Sequence, residues 1–136
     1  MRRAISRVVA VAVAGLALSS TAAAQGAFPP KSFTNLQVLP KNSAAADVIG
    51  TMRDLTRALG VRCQHCHVGE EGMPLETFDF VADTREAKRT ARAMMRLTAA
   101  VNAQIREARP AAEAVTCYTC HRGATRPVHA PEGPKP

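Results

Sequence analysis

GVRCQHCHVG, residues 60–69, packs two cysteines and a histidine into five positions, and AVTCYTCHRG, residues 114–123, does so again. Aligned, they read Val61-x-Cys63-x-x-Cys66-His67-x-Gly69 and Val115-x-Cys117-x-x-Cys120-His121-x-Gly123. Such an internal repeat has to serve one chemistry twice. Paired cysteines at CxxC spacing have four uses: disulfides, a zinc site, thiol redox exchange, or covalent attachment of haem.

Only the last employs every residue of the motif. Each thiol adds across a porphyrin vinyl group to form a thioether, and two intervening residues let both sulfurs reach from one turn of backbone. The adjacent histidine then lies under the ring, where a nitrogen can bind the iron. A Cys₄ zinc site leaves His67 and His121 without a role. Disulfides within each CxxC close rings too small to stabilise much. A thioredoxin-like site needs a βαβ context, and no strand pattern is convincing here. The motifs therefore predict two c-type haems, with Cys63, Cys66, Cys117 and Cys120 forming the thioethers and His67 and His121 binding iron.

The rest of the mature chain is helix and loop. Val48, Met52, Leu55 and Leu59 repeat with a 3.6-residue period and predict a helix over 43–59, ended by Gly60. A second helix is expected over 84–108, with Ala87, Ala91, Met94, Thr98, Val101 and Ile105 on its inner stripe and Pro110 closing it. Asp83 is expected to cap it, with Glu86 completing a capping-box-like pair. Between them, GEEGMPLETFDF is a loop with apolar anchors at Leu75, Phe78 and Phe80. NLQVL, 35–39, alternates for five residues and could pair locally. The expected fold is mainly all-α: two helix–loop–CxxCH units wrapped around two haems.

The sixth iron ligand decides the chemistry. A methionine or histidine there closes the iron and makes an electron carrier; an open position admits oxygen, peroxide or CO. Met52 is the candidate for the first haem, because its helix ends just before the motif and the chain can fold back across the ring. For the second haem, Met94 fits the inner stripe and Met95 is the alternative. Met73 lies in a loop and is a weaker candidate. His65 is expected to face solvent, and His129 sits in a proline-rich tail.

Composition agrees with a small exported domain. Arg2, Arg3 and Arg7 precede an apolar run, Val8 to Leu18, that is too short for a membrane span, and Ala22-Ala23-Ala24 follows. This predicts a signal peptide over 1–24, cleaved after Ala24, and a periplasmic location. Beyond it lie an N-terminal tail, 25–34, a dihaem domain, 35–124, and a Pro-rich tail, 125–136. The full chain carries +7; without the three leading arginines, 15 basic side chains stand against 11 acidic. These charges are scattered, which gives no nucleic-acid footprint. Tryptophan is absent and only four phenylalanines are present, so side chains alone make a poor core for a domain of this size.

The stretches NLQVLP, TMRDLTRALGVRCQHCH, ARAMMRLTAAVN and VTCYTCHRG together resemble the cytochrome c subunit of photosynthetic reaction centres, over about residues 33–128. The resemblance implies a largely helical fold with haems parallel to the helices. It implies Met52 as the sixth ligand of the first haem and favours Met94 over Met95 for the second. The chain departs from the family in having two motifs where the subunit binds four haems. It also has no histidine around Arg109, where the family places one after its long helix. It looks like one half of the duplicated subunit. The expected function is single-electron transfer between a redox donor and acceptor in a photosynthetic or respiratory chain, including docking to a membrane-bound reaction centre or respiratory complex. No small-molecule substrate or enzyme activity is expected. The rival expectation is a peroxidase-like dihaem enzyme with one open iron.

Overall fold

The structure is a computed structural model that describes residues 28–127. Three α-helices organise it: α1, Ala45–Leu59; α2, Glu86–Ala108; and α3, Cys117–His121. Two single 3₁₀ turns, Cys63–His65 and Leu75–Thr77, lie between α1 and α2. Among the described residues there is no strand; Val68 and Asp79 form one isolated bridge.

α1 forms where the apolar period predicts it, but starts at Ala45. Ser43 is occupied in a turn, its hydroxyl and amide both donating to the Pro40 carbonyl. Asp47 in the first turn and Arg57 in the last complement the helix dipole. Gly60, at φ 64°, turns the chain left-handed, and the Val61 amide closes the end by donating to Thr56 O at 3.1 Å.

α2 ends at Ala108 as expected, but it begins at Glu86, and Arg85 at its N-cap makes no side-chain capping bond. The expectation for Asp83 is corrected. Its carboxylate is held by Lys88 and Arg92, each at 2.8 Å. Two cations on one helix face compete for it more strongly than a neutral backbone amide does. The 35–39 segment is not a strand either. Asn35 and Gln37 donate to the same carboxylate, and Arg92 donates to the Asn35 carbonyl, so this segment is tied down by side chains.

The loop between the helices folds back on the first motif. The Asp79 amide donates to Val68 O at 2.8 Å. Phe78 lies so close over Gly69 that a Cβ there would fall 2.4 Å from the ring. Phe80 stacks on Phe78 at 5.7 Å and meets Phe28 at 5.4 Å. The expected anchors Leu75, Phe78 and Phe80 are all partly buried.

α3 packs on the end of α1. The Gly123 amide donates to Ala58 O at 2.9 Å, and Gly60 meets Gly123 backbone to backbone. The two motif copies are joined at this point. Among the described residues, Val48 and Ala58 are the buried apolar side chains, and Lys88 is buried with them. Side chains do not close a core of their own, as composition predicts. On α2, Ala87, Ala91, Thr98 and Ile105 of the expected stripe are partly buried, whereas Met94 and Val101 remain exposed. No described helix is long and apolar enough to cross a membrane.

Candidate cofactor site

Each CxxCH motif is coiled into one helical turn. In the first, the Cys63 carbonyl accepts both the Cys66 amide, at 3.2 Å, and the His67 amide, at 2.9 Å. In the second, the motif is α3 itself. Residues at i, i+3 and i+4 of such a turn share a side, which presents both thiols and the imidazole together. Thr119, a variable position of the motif, holds its own turn: its hydroxyl accepts the Thr116 amide at 2.9 Å.

A cleft of about 250 Å³ runs between the motifs. Cys117 and His121 line it from α3, and Cys66 and His65 from the first motif. Leu55 and Leu59 line it from α1. From α2 come Ala87, Ala91, Met94 and Met95. The alanines at i and i+4 flatten this helix face, and a flat face suits a planar ring. Both methionine alternatives border the cleft; Met94 is 38% exposed, whereas Met95 is more buried. Met52 is partly buried on α1 and does not line the cleft, and neither do Cys63, Cys120 or His67. His65 is exposed, as expected, at the cleft margin. Met73 is half exposed in its loop. His129, the 1–24 segment and nearly all of the C-terminal tail lie outside the described residues.

The two histidines are prepared differently. His121 Nδ1 lies 2.9 Å from Ala124 O. A carbonyl only accepts, so Nδ1 carries the proton and Nε2 keeps the lone pair that binds metal. His67 is buried enough that its Nδ1 has no partner, and its ring meets the edge of Phe80 at 4.9 Å. Burial, reinforced by the Lys88 and Arg92 cations, lowers its pKa to about 4. It is neutral at pH 7 and therefore a free base toward a metal. Burial also pushes the Cys66 thiol up, helped by Cys63 beside it and opposed by Lys88. A raised thiol pKa is the reverse of what thiol redox catalysis needs. Among the described residues, no three His, Cys, Asp or Glu side chains gather to hold a metal ion. The unpartnered, neutral His67, the oriented His121 and the alanine-flattened cleft fit haem attachment.

The family model for the photosynthetic reaction centre cytochrome C subunit matches residues 10–131. The chain belongs to that family. It is thus a member of a cytochrome family whose chemistry is c-type haem binding and electron transfer. No curated protein and no solved structure matches it.

Three features of the site escape sequence reasoning. Asn102 on α2 clamps the second motif from 13 residues away: its amide nitrogen donates to Val115 O, and its carbonyl oxygen accepts the Val115 amide, both at 2.8 Å. The Ala124 carbonyl that orients His121 is backbone and leaves no mark in sequence. The Lys88 clasp on the 80–82 loop is the third. Lys88 and Arg92 at i and i+4, following Asp83, were its one legible trace.

Proposed function

We propose that the chain is an exported dihaem c-type cytochrome that passes single electrons between redox partners of a photosynthetic or respiratory chain. The support is the repeated helical turn. Each copy offers two cysteines and a histidine on one side, and a cleft bordered by methionines runs between the copies.

When bound, each haem supplies a one-electron couple between ferric and ferrous iron. The chain's own residues do the rest. Cys63 and Cys66 would tether the first haem, and Cys117 and Cys120 the second. His67 and His121 would each give one nitrogen ligand to an iron. Met52 and Met94, with Met95 as the alternative, would supply the remaining iron ligands, exclude small ligands and favour the ferrous state. His121 keeps its orientation through Ala124, and Leu55, Leu59, Ala87 and Ala91 give the cleft an apolar wall that would exclude water from a bound haem. Residues 1–24 would act as the export signal, with cleavage after Ala24 delivering the chain to the periplasm. The donor and acceptor would be redox proteins, one of them a membrane-bound reaction centre or respiratory complex.

The test is an optical spectrum of the exported, haem-loaded protein, reduced with and without CO, alongside its intact mass. Two covalent haems and no CO-induced change are expected. A CO complex at one haem would open that iron and bring the peroxidase-like alternative forward. A chain without covalent haem would end the proposal.

A further inference from the structure

Lys88 is a charged side chain buried to 7% exposure in the first turn of α2. That is an adverse place for a cation. The helix N-terminus carries partial positive charge, and an apolar residue of similar size could fill the space without desolvating an ammonium. What the ammonium holds is specific. It donates to the carbonyls of Phe80, Val81 and Ala82, at 2.9, 3.1 and 2.7 Å, and pairs with Asp83 at 2.8 Å. The Phe80 ring is the one that meets His67 at 4.9 Å. The clasp thus fixes a cation and a carboxylate on the loop whose Phe80 ring packs against the first-motif imidazole.

Taking the dihaem assignment above as given, we propose that Lys88 and Asp83 tune the first-motif haem in opposite senses, Lys88 raising its reduction potential and Asp83 lowering it. Reduction adds one negative charge at the ring centre. A fixed cation nearby favours the reduced form and a fixed anion disfavours it, and burial limits screening by salt. The charges that act on the His67 imidazole are Lys88 and Arg92 against Asp79 and Asp83, two of each sign. Removing either member of the Lys88–Asp83 pair unbalances them, with opposite sign. The second motif has no such device. His121 faces a neutral backbone carbonyl, and no ion pair among the described residues involves residues 113–127. Lys88 and Asp83 are therefore positioning residues for one haem and not for the other.

Spectroelectrochemical titration of haem-loaded wild type, Lys88→Gln and Asp83→Asn tests this, with covalent haem content measured first. In Lys88→Gln one of the two couples is expected to fall by about tenfold in its reduction equilibrium, about 59 mV for one electron. In Asp83→Asn the same couple rises and the other stays. A purely structural strap would behave differently. Loosened packing admits water and moves the couple the same way in both variants. Shifts of equal sign, equal movement of both couples, or no movement overturn the proposal. If Lys88→Gln fails to fold, Asp83→Asn decides alone, because it leaves the three carbonyl bonds of Lys88 in place. A wild-type chain with fewer than two thioether-bound haems refutes the dihaem assignment instead, a separate failure.

Discussion

Replacing Gly60 with alanine probes the contact that joins the two motif copies. Gly60 stands at φ 64°, and a Cβ there would lie 2.0 Å from Gly123 O and 2.9 Å from Gly123 C. Even a weak C–H···O contact needs roughly 3.3 Å between carbon and oxygen. The two backbones would have to part by about 1 Å, straining the Gly123 amide bond to Ala58 O. Left-handed backbone costs a residue with a Cβ about 1–2 kcal/mol, and overpacking against atoms that cannot rotate away costs about 1–3 kcal/mol more. Gly60→Ala should therefore lose about 2–5 kcal/mol. At about 4–8 °C per kcal/mol for a domain of this size, the melting temperature falls by about 10 °C or more.

Two other glycines supply internal controls. Gly72 has φ +82° and open space around it, so Gly72→Ala carries only the backbone strain, about 1–2 kcal/mol. Gly50 lies inside α1, also with nothing nearby, and Gly50→Ala should gain about 0.5–1 kcal/mol. Thermal and urea unfolding of the haem-loaded proteins should rank them Gly50→Ala, wild type, Gly72→Ala, Gly60→Ala. If Gly60→Ala matched Gly72→Ala in stability, the close approach of the two motif copies would be refuted.

Other consequences are as direct. Asn102→Ala leaves both polar groups of Val115 without their partner, at about 1–3 kcal/mol each if water does not replace it. Urea denaturation should show that loss, and the second motif should take up less haem. Asp83 is held well below the usual carboxylate range, first by its bond from Arg92 and then by Lys88 and Asn35. A carboxyl depressed in the folded state gives stability that is present above its unfolded value, about 3.9, and lost as pH falls through the folded one. The stability gap between wild type and Asp83→Asn should hold above about pH 5 and close as pH drops below about 4. A constant gap down to pH 2 would count against the ion pairs.

Some of this protein was decided by the sequence alone. CxxCH is a local motif, and its chemistry depends on spacing within one turn, so Cys63, Cys66, His67 and their second copies were legible at once. The apolar period and Gly60 located α1, and Pro110 the end of α2, because these also act over a few residues. The start of α2 was misread for a physical reason. Asp83 was available to the backbone as a cap, but tertiary packing brought two cations to it, and charge won. Only the folded chain placed Asn102 against Val115, joined Gly60 to Gly123 and put both Met94 and Met95 on one cleft. These contacts pair residues far apart along the chain, where no period or spacing records the meeting. The sequence carries the repeated motif and its spacing; the tertiary structure decided which charges, carbonyls and helix faces surround each copy.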